Sequence, residues 1–427
     1  TVYCKFPSPA EHLHGADIKL PKLLAANQSS KSNQPDGYQK IFRLSVAANS
    51  PSIVNNATYK VIPFPAESPI HPGGTPAVVS NPWNAAAGNA TSLKWHSNGT
   101  TDYNITRGNN VWAKEDLAAS NSTTGVPATS TTATDPLSFN FTPDFNVSPT
   151  QTTPVPNQPF NITNLFYWNN IIHDVMYQYG FDEVSGNFQA NNQGRGGAGN
   201  DFVLADAQDG NYVAPNQNNA NFSTPADGSS GRMQMYLWDA HAMFTVNAPA
   251  VIAGSYSCLE SNFSTGNKLA NVGPVTGDVV YYNDVSGGLH EACVTPGNTL
   301  TGKIALIQRG NCNFTVKVKN AQDAGAIAVI MVNNVSGNPI IMGGTDNTIT
   351  IPAVMISDVD GATMIAQLNN GLNVTLRGGP NLDGDVDNGV VVNEFGHGIS
   401  NRLTGGPAQA SCVSSAENMG EGWSDYI

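Results

Sequence analysis

Two short segments near the C-terminus carry residue types whose spacing suits a metal site that activates water. The first segment, VVVNEFGHGISNRL (390–403), places Asn393 and His397 four residues apart, with Glu394 beside them. On a helix, residues at i and i+4 lie on one face, about 6 Å apart along the axis. With His at position 393 the pattern would be H-E-x-x-H, in which two zinc ligands flank a general base.

The second segment, GEGWSD (420–425), supplies the carboxylates that would complete such a site. Glu421 follows His397 by 24 residues, and a carboxylate from a following helix would give three protein ligands with one position open for water. Asp425 lies one turn later, where it can accept the spare N–H of a ligating imidazole. We predict that Glu394 takes a proton from the water and passes it to a leaving amine.

Asn393 is the one residue of the predicted site whose side chain is a poor zinc ligand. An amide oxygen is a harder and weaker zinc donor than an imidazole nitrogen. Changes beyond the ligands themselves already cost about 10–100-fold in metal affinity or activity, so losing an imidazole ligand should cost at least that. Two hypotheses therefore stay open: a zinc-dependent endopeptidase, and a catalytically impaired relative that binds proteins or peptides.

The segments that must position this site have distinct periodicities. Residues 164–179 (NLFYWNNIIHDVMYQY) have apolar side chains at steps of three and four, which predicts a helix capped by Thr163 or Asn164 and ended by Gly180. Residues 58–64, 110–113 and 232–238 read as strands. Residues 118–158 are rich in Ser, Thr, Pro and Asn and predict a long loop or linker.

Residues 245–377 have a sequence pattern that differs from that of the segments before them. The runs GKIALIQRG, IAVIMVNN, IPAVMIS and NVTLRG predict strands, and residues 314–326 and 358–370 predict helices between them. This alternation indicates a separate α/β insert.

Composition narrows the classes of protein. The net charge is −13 over 427 residues, which argues against a nucleic-acid binder. Uncharged apolar runs are far shorter than the ~20 residues that span a bilayer. Three of the five cysteines lie between positions 258 and 312 without a CxxC pair, which favours one disulfide in an exported domain. No catalytic Ser or Cys motif is present, and the pair His173–Asp174 is interpreted as structural.

The quoted segments together resemble the fungalysin-type secreted zinc metalloendopeptidases, relatives of thermolysin. The resemblance rests on DGDVDNGVVVNEFGHGISNRLTGGP, ENMGEGWSDY, NLFYWNNIIHDVMYQYGF and NNANFSTPADG. It implies an α+β, thermolysin-like fold with a β-rich N-terminal lobe and a helical C-terminal lobe, here incomplete. By position, Asn393, His397 and Glu421 take the zinc-ligand places, and Glu394 takes the general-base place. Asn219 and Ala220 match the edge segment that holds substrate backbone.

The resemblance also divides the chain. We expect a pro-segment remnant or extension at 1–55, the N-terminal lobe at 56–244, an insert resembling a protease-associated domain at 245–377, and the zinc-site helices at 378–427. The sequence opens with Thr1 and is expected to be a processed form or an excerpt. We expect a secreted monomer that acts on proteins or peptides, without a membrane span.

A second metal is a further alternative. Asp383, Asp385 and Asp387 (DGDVDNG) resemble the start of an EF-hand loop with Glu394 at its twelfth position, although Asn388 stands where the turn needs Gly. A Ca²⁺ ion or a structural carboxylate cluster beside the zinc helix is the open alternative to an EF-hand.

Overall fold

The computed structural model describes residue 54 and residues 56–69, 71–86, 88–150, 154–213, 218–285, 289–414 and 419–426. The expected pro-segment therefore lies almost wholly outside the described residues. The described α-helices are α1 (Gln158–Gln178), α2 (Leu269–Val272), α3 (Phe314–Asp323), α4 (Asp358–Ala366), α5 (Asn388–Thr404) and α6 (Gly420–Tyr426). The strands are β1 (Thr58–Val61), β2 (Ala77–Ser80), β3 (Val111–Glu115), β4 (Ser138–Phe139), β5 (Val203–Ala207), β6 (Ala220–Ser223), β7 (Arg232–Met235), β8 (Leu237–Trp238), β9 (Ala242–Ala248), β10 (Gly254–Tyr256), β11 (Leu259–Glu260), β12 (Val275–Tyr281), β13 (Ile304–Gln308), β14 (Ala328–Val332), β15 (Ala353–Ile356), β16 (Asn373–Gly378) and β17 (Leu382–Asp383).

Two small sheets and two long helices build the part of the molecule that carries the predicted site. One sheet has the order β2-β1-β4 and the other has the order β3-β5-β7-β6, while β8 pairs with β17. Helix α1 packs against β1 and β3, and helix α5 packs against α1 and β6. A single apolar core joins them, because buried side chains from α1, α5 and both sheets belong to one cluster.

Helix α1 confirms the predicted helix but begins six residues earlier, at Gln158. Its N-cap is Asn157, so the predicted caps Thr163 and Asn164 are wrong. Both of these side chains are fully buried inside the helix. The Asn164 amide donates to the backbone oxygen of Asp385, and its oxygen accepts from the Ile62 N–H. In the sequence alone, a polar residue inside a helix resembles an N-cap. Its side chain can instead form hydrogen bonds to another element, as that of Asn164 does here.

A mixed sheet of eight strands spans residues 242–378, with the order β10-β9-β16-β12-β13-β14-β15-β11. Strands β12, β13, β14 and β15 run parallel to one another. Alternate residues of β13 and β14 enter two cores: one contains Val318 of α3 and the other contains Met364 of α4. The helices therefore cover opposite faces of the sheet, as expected for buried parallel strands.

The cysteines of this region divide as the sequence suggests. Cys293 and Cys312 form a disulfide, with 5.8 Å between their Cα atoms. Cys258 is the free cysteine in the described part of the chain. The same part contains no helix that combines the length and apolar character needed to cross a membrane.

Helix α5 is held at both ends by side-chain bonds. At its start, the Asp387 carboxylate caps the helix by accepting from the Val390 N–H. Near its end, the fully buried Arg402 donates to Asp201, at 3.0 Å, and to several backbone oxygens. Midway, Gly398 lets the helix approach the Phe222 ring, because a Cβ there would lie 2.7 Å from a ring carbon.

Candidate metal centre

Helices α5 and α6 pack together and bring two of the predicted ligands into contact. His397 Nε2 on α5 lies 3.3 Å from Glu421 Oε2 on α6. The His397 side chain is 19% exposed and that of Glu421 is 83% exposed, so the pair opens to solvent on the α6 side. An imidazole and a carboxylate with their lone pairs converging are chemically suited to a shared divalent cation.

Ser424, which the sequence analysis did not single out, fixes the orientation of the His397 ring. Its hydroxyl donates to the Gly420 backbone oxygen at 2.8 Å and lies 3.0 Å from His397 Nδ1. Since the hydroxyl has a single proton, Ser424 must accept from an Nδ1–H. In the neutral imidazole, Nε2 is then the nitrogen with the free lone pair, and it is the one that faces Glu421. Ser424 follows Glu421 by three residues, which places both on one face of a helix, and this spacing is the signal that could have revealed its role.

Asp425 contacts the amide at position 393. Its Oδ1 accepts a hydrogen bond of 2.8 Å from Asn393 Nδ2. The prediction that Asp425 would accept from an imidazole is therefore not met by His397, whose Nδ1 partner is Ser424. This bond uses Nδ2 of the amide, and Oδ1 is the atom of Asn393 that carries the lone pairs a metal would need.

Glu394 is the buried acid of the site, with 7% of its surface exposed. Its Oε2 has no hydrogen-bond partner among the described residues. Burial, and then the negative charge of Glu421, raise the pKa of Glu394 to about 7. A carboxyl group with this pKa exchanges protons readily near neutral pH, which is the property of a general acid or base.

The residues present fit a divalent metal, with one imperfect donor. Two ligands of a tetrahedral zinc ion with bonds of ~2.0–2.1 Å stand about 3.4 Å apart, close to the His397–Glu421 distance. The buried Oε2 of Glu394, which has no hydrogen-bond partner among the described residues, is a second observation that suits a further group beside this acid. Asn393 offers an amide oxygen in place of imidazole nitrogen, and this favours hard cations over zinc.

The predicted substrate-binding pair lies at a sheet edge. Ala220 begins β6, and Asn219, which is exposed, precedes it. Strand β6 pairs with β7 on one side and is the last strand of its sheet. Its other backbone edge is the side on which an extended peptide could be added.

Two other motifs have structural roles. Asp383 caps the single turn at Gly384–Val386, and Asp387 caps α5, so Glu394 lies inside a helix. The EF-hand interpretation is therefore wrong, because the twelve residues do not form one loop. His173 Nδ1 lies 3.0 Å from Asp174 Oδ1, and both side chains are buried. This pair lies in the interior, in agreement with a structural role.

A pair of facing helices that presents an imidazole, a carboxylate and a buried acid is chemically suited to hold a divalent metal and to transfer a proton. Comparison with known proteins gives the family. The protein-family model described as "Fungalysin metallopeptidase (M36)" matches residues 58–427 of this chain. This chain therefore belongs to the fungalysin metallopeptidase family, and the resemblance inferred from the sequence is confirmed at that level.

Individual relatives agree with this family. The chain is 42% identical over 185 residues to extracellular metalloproteinase 2 of Arthroderma otae, covering 43% of this chain and 27% of that one. It is 39% identical over 247 residues to extracellular metalloproteinase MEP of Fusarium vanettenii, covering 56% of this chain and 34% of that one. The chain thus spans about a quarter to a third of these curated relatives.

An aminopeptidase from Aneurinibacillus sp. strain AM-1 shares 26% identity, covering 38% of this chain and 33% of that chain, with a TM-score of 0.27.

Proposed function

We propose that the protein is a secreted zinc-dependent endopeptidase that hydrolyses peptide bonds in proteins. The observation that carries this proposal is the contact between His397 Nε2 and Glu421 Oε2, 3.3 Å apart, with the buried Glu394 on the same helix. Membership of the metallopeptidase family supports it, as do the relatives named extracellular metalloproteinases.

Each residue of the centre has a distinct task. His397 and Glu421 would hold the zinc ion, and Asn393 would offer its Oδ1 in the third ligand place. Zinc, when bound, supplies a polarised peptide carbonyl and an acidified water molecule. Glu394 takes the proton of the attacking water and passes it to the leaving amine. Ser424 keeps the proton of His397 on Nδ1, so that Nε2 stays available as a ligand.

Substrate backbone binds along β6. Main-chain groups of Asn219 and Ala220 pair with an extended peptide, which gives affinity without demanding a particular sequence. Helix α5 packs against β6, so the same helix that carries Glu394 lies beside the strand that would hold the peptide.

The larger architecture is also part of the proposal. We assign residues 56–244 and 378–427 to a thermolysin-like, two-lobed peptidase and residues 245–377 to a protease-associated insert. The eight-stranded sheet with its own two cores supports a separate insert, although its first strand begins at Ala242, three residues before the assigned boundary. We propose a monomer with protein or peptide substrates.

A second candidate function follows from Asn393 alone. An amide in the first ligand place weakens zinc binding, and a chain without zinc would keep the edge strand and the insert as binding surfaces. In this alternative the protein is a secreted binding module for proteins or peptides.

Zinc content tests the proposal directly. The chain is dialysed against zinc and then against buffer, and the bound metal is counted. We expect His397→Ala and Glu421→Gln to lower the zinc bound per chain. The matched controls are His71→Ala and Glu67→Gln, which break a surface His–Glu pair at 3.2 Å outside the centre. Zinc binding that is equal in all five proteins would reject the centre.

Peptide hydrolysis separates the two candidate functions. In the full-length protein, the endopeptidase proposal predicts zinc-dependent cleavage of a quenched fluorescent peptide library, abolished by His397→Ala. The binding-module alternative predicts retention of peptides on immobilised protein with no cleavage, unaffected by a chelator.

A further inference from the structure

Several apolar side chains are exposed on the loop that follows β14. Val335 is 56% exposed and Ile341 is 61% exposed, and Ile340 beside it is exposed as well. The loop lies against the start of α4, because the Gly337 N–H donates to Asp358 Oδ1 at 3.3 Å. Residues 333–341 are called the apolar loop below. Neighbouring apolar side chains on a surface favour association unless something covers them.

Two adjacent asparagines at the start of the apolar loop have opposite environments. Asn333 is buried, accepts from Arg309 Nη1 at 2.9 Å and donates to the backbone oxygen of Asn338 at 3.2 Å. Asn334 is exposed. The bonds of Asn333 hold the start of the loop in place, so Asn334 stays on the outer surface.

Asn334 begins an acceptor triplet for N-linked glycosylation. The triplet is Asn334-Val335-Ser336, and all three residues are exposed. The pattern Asn-x-Ser/Thr with x other than Pro is the acceptor in secreted proteins, where it lies on surface loops. A glycan is bulky and solubilising. One attached to Asn334 would begin beside the exposed Val335, in the loop that also carries Ile340 and Ile341.

A second triplet shows that the sequence pattern alone does not decide where a glycan can be carried. Asn161, Ile162 and Thr163 have the same pattern, but they lie inside α1 and Asn161 is 1% exposed. Its Nδ2 donates to Asp383 Oδ2 at 2.5 Å. The folded protein has no room for a glycan on this nitrogen, whereas Asn334 meets no such obstacle.

We propose that Asn334 carries an N-linked glycan that covers the exposed side chains of the apolar loop. Asn334 Nδ2 forms a bond to the anomeric carbon of a lipid-diphosphate-linked oligosaccharide. The bond between that carbon and the diphosphate oxygen breaks, the lipid diphosphate leaves with the electron pair, and the amide gives one proton to a base of the transferring enzyme. The inference rests on the secretion in the proposed function, because this transfer takes place on the secretory route. The disulfide between Cys293 and Cys312 suits the same oxidising route.

Site mapping in the full-length protein tests the modification. A host leader directs the protein through the secretory route of a eukaryotic cell, and a glycosidase then converts each glycosylated Asn to Asp before mass spectrometry. We expect Asp at position 334 in most chains and Asn at position 161 in the folded protein. Asn334→Gln and Ser336→Ala should each lose the mass of one glycan. Asn338→Gln makes the same amide substitution in the same loop outside any triplet, and it should lose none.

Hydrophobic-interaction chromatography tests the covering role. Asn334→Gln and Ser336→Ala should both elute later than the parent, because the apolar loop is then bare. Adding Ile341→Ser to Asn334→Gln should return the elution toward that of the parent. Asn338→Gln should elute with the parent.

The proposal is overturned if Asn334 is unmodified in the protein that has passed through the secretory route, or if both glycan-free variants elute with the parent. Should Asn334→Gln not fold, Ser336→Ala decides the question, since it leaves the asparagine in place. Because the leader supplies the route, these results judge the site alone. The full-length protein without an added leader judges the secretion: its failure to reach the medium would contradict the proposed function instead.

Discussion

Restoring imidazole at position 393 is the change that tests the metal centre most sharply. In the structure Asn393 Nδ2 donates to Asp425 Oδ1 at 2.8 Å. A histidine in this place can donate one ring N–H to Asp425 and present its other nitrogen to a metal held by His397 and Glu421. We therefore expect Asn393→His to tighten zinc binding by at least ~10–100-fold. This corresponds to about 1.4–2.7 kcal/mol.

Competition against a chromogenic chelator measures the zinc affinity of parent and variant. Asn401→His is the matched control, since it makes the same substitution two turns further along α5, where Asn401 bonds Thr224. It should leave the zinc affinity unchanged. Combining Asn393→His with Asp425→Asn should remove part of the gain, because a carboxylate behind an imidazole strengthens it as a ligand.

The reasoning is refuted if Asn393→His binds zinc no more tightly than the parent, or if Asn401→His gains as much. Either result would mean that the three positions do not converge on one ion. A gain that Asp425→Asn does not reduce would show that Asp425 has no part in orienting the residue at 393.

Three other changes probe the parts around the centre. Glu394→Gln in the full-length protein should keep zinc bound while lowering peptide hydrolysis by ~10²–10⁴-fold; unchanged hydrolysis would exclude it as the base. Gly398→Ala should lower the free energy of unfolding by ~1–3 kcal/mol, because its Cβ would lie 2.7 Å from the Phe222 ring; urea titration measures the loss, and an unchanged midpoint contradicts the packing. Arg402→Met should destabilise the protein by ~3–5 kcal/mol at pH 8 and by less at pH 4.5, because it leaves the buried Asp201 carboxylate without its cationic partner.

The pH dependence of that last prediction follows from the pKa of Asp201. Burial raises this pKa to about 6, while the charge of Arg402 lowers it. The unfolded value is about 3.9, so between the two values the folded state holds more protons and stability falls as the pH rises. Removing Arg402 raises the folded pKa further and deepens that fall. Equal losses in urea unfolding at the two pH values would contradict this account.

The local sequence pattern was sufficient to predict those strands and helices whose apolar residues follow one regular period. The strands β13, β14, β15 and β16 lie inside the predicted runs, and α3 and α4 lie inside the predicted helices. These segments are continuously apolar or clearly amphipathic, so burial on their own sheet decides their conformation. The start of α1 was missed because its polar residues are paired with distant segments, which no local window contains.

The sequence by itself determined the family and the helix that carries Glu394 and His397, because those depend on residue types and on spacing along one chain. The tertiary structure alone decided which side chains meet. It paired Ser424 with His397 and Asp425 with Asn393, and it joined Asn161 to Asp383. Such pairings depend on how α6, α1 and β17 pack in space, and hydrogen bonds between residues 27 to 222 positions apart leave no periodic trace in the sequence.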